Sequence, residues 1–323
     1  MNGIAETYMT LERIRRRMAA SLAMLAAVFA LAACGGGGST SSSTSTTPTI
    51  SNDPNAPAAT GNTATDGFNR FNYRRQQAGL AAVSRNALID TAAQNHSNYQ
   101  KLNDVATHEE DPGKPGFTGV HENDRLSAAG YMLPASGYAY GEVIASRSDT
   151  QGIVAAEDLI GAIYHRFVIF EPMFKEAGAG AGTSSSGNTY FTCDFAANGL
   201  DRGLAPGTVV VYPFPGQTGI ATGVNSDDEV PDPVPNQNRV GYPASVHANL
   251  TSTLTVQTFT IKPRGGSTMA VRLLTHATDA NTAQSVAAIM PLSELASGTT
   301  YDVQFTGTVD GIAVNRSWSF TTQ

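Results

Sequence analysis

Residues 152–195 read GIVAAEDLIGAIYHRFVIFEPMFKEAGAGAGTSSSGNTYFTCDF, and two periodicities meet inside them. Ile153, Ala156, Ile160, Ile163 and Phe167 recur at the spacing of one helix face, which predicts a helix over about 152–167. Past Pro172 the period shortens, and Ala177–Ala181 and Tyr190–Phe195 read as strands bounded by Gly and Ser. Upstream the pattern is helical. Asp66 can cap a helix carrying Phe68 and Phe71 that ends at Gly79. Asn86 can cap a second, with Leu88, Ile89, Ala92, Ala93, His96 and Tyr99 at helical spacing, and a short helix near Asp124–Ala129 stops at Gly130. Val209–Tyr212 is a third strand candidate. Helices followed by strands, without regular alternation, give an α+β layered domain over residues 66–214.

Downstream, residues 215–235 are rich in Pro, Gly and Asp and read as a linker. Nearly everything in 236–323 is strand-like: Leu254–Ile261, Met269–Leu274, Thr300–Phe305 and Arg316–Thr321, with turn signals at Pro263-Arg264-Gly265-Gly266, Ser297-Gly298 and Asp310-Gly311. Asp-Gly between Val309 and Ile312 is a hairpin signature. This pattern predicts an all-β sandwich that folds separately from the first domain. Leu295–Tyr301 resembles the tyrosine-corner segment of immunoglobulin-like (Ig-like) and fibronectin III folds, and Trp318–Thr322 the closing strand of bacterial Ig-like modules. That resemblance implies a spacer or an adhesive surface, with no catalytic constellation.

At the N-terminus Arg13, Arg15, Arg16 and Arg17 precede an uncharged apolar run from Met18 to Leu31. The run is shorter than the roughly 20 residues a membrane span needs, and it has the length of a signal-peptide core. Leu31-Ala32-Ala33-Cys34 resembles the lipobox of bacterial lipoproteins. The expectation is a removable signal over 1–33, a lipid on Cys34 and a Gly/Ser/Thr-rich disordered tether over 34–65. Gly35, in place of an Asp, leans towards the outer membrane. The whole chain has 20 Lys+Arg and 27 Asp+Glu; losing four Arg and two Glu with the signal leaves 16 − 25 = −9. An acidic chain of this kind argues against nucleic acid as a partner. Cys193 is the cysteine left after lipidation, so the mature chain has no internal disulfide and relies on its core.

The chain carries an ordered set of segments. They are Asn86…Leu88…Ala92-Ala93…His96, then Ala106-Thr107-His108, then Arg125…Gly130-Tyr131, then Tyr140-Gly141-Glu142-Val143-Ile144-Ala145. The last is Tyr164-His165-Arg166…Ile169-Phe170-Glu171-Pro172…Gly178-Ala179-Gly180. In this order, residues 66–197 resemble the CAP superfamily (cysteine-rich secretory proteins, antigen 5, pathogenesis-related 1), in its cysteine-poor bacterial branch. The resemblance implies an α-β-α sandwich with a cleft lined by two histidines and two acidic residues. His108 and His165 match the histidines and Glu142 the glutamate of the Gly-Glu-Asn motif; Glu157 is the candidate for the second acid, with Asp158 its rival. Val143 stands where the motif has Asn, Ile163-Tyr164 where Pro-Gly is usual, and the fourth helix has no Trp.

Two imidazoles and a carboxylate suit a divalent metal, commonly zinc, so His108, His165 and Glu142 are the metal candidates. The same three side chains can instead form a hydrogen-bonded cluster that only fixes loops. His96 reads as a packed or surface residue, Glu109-Glu110-Asp111 as a solvated loop, His121-Glu122 as a surface pair and Cys193 as a buried thiol. Gly178, Gly180 and Gly182 lack the Lys and the helix of a phosphate loop. The favoured function is a lipid-anchored cell-envelope protein whose cleft binds a small apolar or lipidic ligand or a metal. The alternatives are a metal-assisted hydrolase of peptide or cell-wall material, with Glu142 as base, and a purely structural or adhesive protein. The chain lacks Gly-x-Ser-x-Gly and His-Glu-x-x-His, which weighs against an enzyme.

Overall fold

The computed structural model describes residues 55–323; the expected signal, Cys34 and most of the tether lie outside the described residues. The fold is mixed α+β. Helix α1 (Thr63–Gln77) starts at Asn62, whose side chain accepts the Thr65 amide, so the cap lies ahead of Asp66. Asp66 turns back instead and accepts from the Thr60 and Gly61 amides. Helix α2 (Ala87–Asn103) has the expected Asn86 cap. Helix α3 (Glu122–Ala128) follows after a long loop. The helix expected over 152–167 is two helices, α4 (Gly152–Gly161) and α5 (Ile163–Ile169), broken at Ala162, whose ψ is 122°.

These helices cover both faces of a four-stranded sheet in the order β1 (Ser84–Arg85), β3 (Glu176–Thr183), β4 (Thr189–Asn198), β2 (Tyr138–Arg147). Residues alternate between the faces along each strand. Val143, Phe191, Cys193 and Phe195 turn to α1 and α4, where they join Phe71, Phe174 and Ile160. Glu142 pairs with Asp194 across β2 and β4, and both lie on the other face, with α2 and α3. On that face Ala196 packs with Ile89, Ala92, Leu126 and Tyr131. Gly178 and Gly180 lie there too, because the α2 backbone runs directly over them.

Beyond Asn198 the chain forms two further sheets and a ribbon. One sheet has the order β10 (Val271–Leu274), β11 (Val286–Pro291), β8 (Ala244–His247), β5 (Val210–Tyr212); the other is β13 (Ile312–Thr321), β12 (Thr300–Val309), β9 (Leu254–Pro263). The β12–β13 hairpin turns at Asp310-Gly311, both at positive φ, as the dipeptide predicts. The Tyr301 hydroxyl accepts the Ala296 amide at 2.7 Å, an upstream backbone bond of the expected kind.

The stretch expected as a linker is packed. Strand β6 (Gly223–Asn225) pairs with β7 (Arg239–Gly241), and Val234 and Val240 pack on Ile163 and Phe167. One continuous core runs from Phe68 through Tyr212, Val246 and Ile289 to Phe320. Residues 215–235 therefore do not break the core: Ile220, Val224 and Val234 show no periodicity visible in sequence, yet each packs among apolar neighbours in three dimensions. Among the described residues no helix is long and apolar enough to cross a membrane.

His247 sits in this core with no exposed surface, Nε2 on the Ser245 hydroxyl at 2.9 Å. Burial, then the charges of Arg166 and Arg75, lower its pKa from 6.5 to about 3. A histidine lowered on folding contributes stability above its unfolded pKa, and that stability drains as pH falls towards the folded one. Denaturant titrations should show about 2 kcal/mol lost at this residue between pH 6.5 and 5. His247→Gln should flatten that part of the acid limb; an unchanged limb would reject the assignment.

Candidate functional site

Strand β2 delivers Glu142 to the α2/α3 face, and the chain after α2 brings His108 over it. His108 Nδ1 lies 2.8 Å from Glu142 Oε1, and Arg125 on α3 donates Nη2 to Glu142 Oε2 at 2.7 Å. Arg125 also donates to the carbonyls of His108 and Val120, so it holds the loop and the carboxylate together. Burial pushes the Glu142 carboxyl up, but Arg125, His96 and His108 outweigh it and hold it well below the usual carboxylate range. The His108 side chain stays 55% exposed over a carboxylate that is 3% exposed.

His96 and Glu110 lie beneath. Both are buried. His96 Nδ1 faces Glu110 Oε1 at 2.9 Å and Nε2 faces the Thr107 carbonyl at 2.7 Å. A carbonyl only accepts, and Glu110 already accepts from the Thr118 and Gly119 amides. Nε2 thus donates to the Thr107 carbonyl, and Nδ1 pairs with the Glu110 carboxyl from the other side of the ring. The expectation of a solvated acidic loop fails at Glu110 for this reason: its carboxylate is the acceptor that folds residues 107–119 back onto α2.

His165 lies on α5. Its ring centroid is 6.4 Å from that of His108, with the planes tilted by 30°. The break at Ala162 leaves the first amides of α5 without helical acceptors, and the Glu229 carboxylate takes them. Oε2 accepts Ile163 N at 2.8 Å, and Oε1 accepts Tyr164 N at 2.6 Å and His165 N at 3.2 Å. Oε1 is also 3.1 Å from His165 Nδ1. Two carboxylate–imidazole dyads, Glu142–His108 and Glu229–His165, therefore face each other. Each carboxylate accepts at Nδ1, which leaves the Nε2 lone pair of each neutral ring as the available acceptor.

The structure brings His108, Glu142 and His165 together and places Glu157 elsewhere. Glu157 accepts from Arg70 at 2.5 Å and Arg74 at 2.7 Å on α1; burial raises its carboxyl, and the two arginines more than reverse that. Asp158 pairs with Arg147. The carboxylate on His165 comes instead from Glu229, 64 residues further on. The one local signal for it was the absence of a capping side chain at Ala162. A three-ligand zinc site does not fit this arrangement: both oxygens of Glu142 are engaged, and among the described residues no three His, Cys, Asp or Glu gather to hold a metal. Cys193 is a buried thiol on the opposite face of the sheet, and burial drives its pKa up, so it is no nucleophile.

The model of the cysteine-rich secretory protein family, CAP, matches residues 68–195. No curated protein matches the chain. Among solved structures, an extracellular protein containing an SCP domain from Bacillus anthracis str. Ames is 21% identical with a TM-score of 0.34; the match covers 42% of this chain and 40% of that one. An outer surface protein from Borrelia burgdorferi is 12% identical at a TM-score of 0.33, over 40% of this chain and 88% of that chain. Schistosoma mansoni venom allergen-like protein 4 is 13% identical at a TM-score of 0.30, over 46% and 97%. Residues 68–195 thus form a domain of the cysteine-rich secretory protein (CAP) family, and Glu229 reaches its second histidine from outside that domain.

Proposed function

We propose that this is a lipid-anchored cell-envelope protein, held through Cys34 at the outer membrane, whose CAP cleft binds a small molecule with an apolar or lipidic body. We read the CAP domain as an α-β-α sandwich and the C-terminal strands as an Ig-like sandwich. The observation that carries the ligand reading is the facing pair of carboxylate-anchored imidazoles, one of them half exposed. Such a pair can accept hydrogen bonds from a hydroxyl or amine headgroup. Val105, on the chain leading to His108, is 38% exposed, and Val230, beside Glu229, is 73% exposed; they supply apolar surface on both segments that carry the dyads.

Binding is favoured over hydrolysis by the state of Glu142. Its carboxyl is held well below the ordinary range and both oxygens are bonded, so it is a weak base for activating water. Native mass spectrometry of protein extracted from membranes should show a co-purifying lipid or other apolar molecule. It should be lost in the double variant His108→Ala, His165→Ala, with circular dichroism unchanged. A bare wild-type protein, or a bound divalent metal in its place, would reject the reading.

The anchor is tested separately. One acyl chain binds a membrane reversibly while two or more hold firmly, so a diacylglyceryl cysteine is a stable anchor. Cys34→Ala should move the protein from the membrane fraction to the soluble one and abolish palmitate labelling. Label retained in the variant would sink the assignment.

A further inference from the structure

We propose that the C-terminal half of the chain is a working part of the CAP cleft, with Glu229 as the positioning residue that fixes the ring of His165. Consecutive side chains of α5 are each gripped by residues beyond the CAP domain. The Tyr164 hydroxyl donates to Asp279 Oδ2 at 3.1 Å. His165 is held by Glu229 at both its amide and Nδ1. Arg166, with no exposed surface, donates Nη1 to the Pro243 carbonyl at 2.7 Å, and its guanidinium lies 5.0 and 4.9 Å from the ring centroids of Tyr212 and Tyr242.

Glu229 itself is 4% exposed and is pinned from its own side. Its amide donates to the Ser226 carbonyl, and Ser226 is tied into the β6–β7 ribbon through the Asn238 carbonyl. The carboxylate thus reaches α5 from a braced segment, and it does two things there that no residue of 68–195 does. It satisfies the free amides created by the break at Ala162, and it selects the Nδ1–H tautomer of His165. A free imidazole in water prefers the other tautomer, with the proton on Nε2. Without Glu229 the bare Nε2 of His165 is therefore mostly lost. The C-terminal sheets then act on the cleft directly, as the frame that carries this carboxylate, where the sequence suggested only a spacer or an adhesive surface.

The test needs no ligand, so its outcome is independent of what the cleft binds. Nitrogen-15 correlation spectra of the full chain should show His165 with its proton on Nδ1 and a bare Nε2 at a pH where the ring is neutral. Glu229→Gln should shift His165 towards the Nε2–H form, while His108, anchored by Glu142, keeps its own tautomer as an internal control. Glu229→Asp, one methylene shorter on the same braced segment, should restore the wild-type tautomer only in part. A purely structural role for Glu229 would disturb both histidines or neither. An unchanged His165 tautomer in Glu229→Gln overturns the proposal. Should that variant fail to fold, the wild-type spectrum decides: a majority Nε2–H form at His165 overturns it equally.

Discussion

Gly180→Ala is expected to destabilise the protein by about 3 kcal/mol, the upper end for overpacking a well-filled core, and Gly178→Ala by a comparable amount. A Cβ built on Gly180 falls 2.3 Å from the Gln94 Cα and amide nitrogen, and one on Gly178 falls 2.1 Å from the Asp90 amide nitrogen. The obstructing atoms are helix backbone, so no side-chain rotation relieves the contact. Helix α2 must lift off the sheet. Lifting it also loosens bonds that tie the layers together: Asp90 Oδ1 accepts the Ala179 amide, and the Gln94 side chain bonds both the amide and the carbonyl of Ala181. The position of His96 would change with it, because His96 lies on the same helix. Gly113→Ala is the control, since a Cβ there meets only the Asp111 side chain at an ordinary 3.5 Å. Urea denaturation of the three variants measures the effect. A loss below about 1 kcal/mol in both sheet variants, the lower end for overpacking, would mean that α2 does not lie this close to β3.

The glycine stripe also shows how far the sequence carries. Read alone, Gly178, Gly180 and Gly182 raise a phosphate loop and then dismiss it for want of Lys; their purpose appears only once α2 lies on them. Elements with one buried and one exposed face were legible: α2 with its Asn86 cap, and the β12–β13 hairpin with Asp310-Gly311. Strand β2, which carries Glu142, has buried neighbours on both faces, so its residues do not alternate and no strand signal stands out. The same is true of β11, whose six residues are all buried. His108, Glu142 and His165 were legible because an ordered set of short segments marks them. Glu229 was not, because its partner is a gap in backbone hydrogen bonding at Ala162 on a distant segment. Pro and Asp around it gave the composition of a linker, and composition carries no information about which carboxylate folds inward.

Replacing Arg125 by leucine should cost about 3–5 kcal/mol at pH 7, the penalty for stripping one partner from a buried charge cluster. Arg125 is 1% exposed, and three carboxyl groups surround it: Glu142, Asp194 and Glu122. Asp194 is fully buried, with both oxygens lacking a hydrogen-bond partner, and the Glu122 Oε1 is likewise unpartnered. Burial first, and then the charge of Glu142, pushes the Asp194 carboxyl well above its ordinary range; burial, Asp194 and Glu142 do the same to Glu122. The wild-type site thus holds one lowered carboxyl on Arg125 beside two raised ones. For Glu142, lowered on folding from 4.5, the stabilisation is present above the unfolded pKa and is lost as pH falls through the folded one. Removing Arg125 inverts this. Burial, with the acidic neighbours, would then lift Glu142 above its unfolded pKa, so the variant gains more stability than the wild type as pH falls from 7 to 5: the raised Asp194 and Glu122 contribute to both proteins, and Glu142 adds its share only in the variant. Adding Glu142→Gln to Arg125→Leu should recover part of the loss at pH 7 and remove the extra gain on acidification, because position 142 then has no charge to neutralise. Chemical denaturation of the single and double variants at both pH values reads each term. An Arg125→Leu protein that gains no more stability than the wild type between pH 7 and 5 would show that Arg125 is not what keeps Glu142 ionised beneath His108.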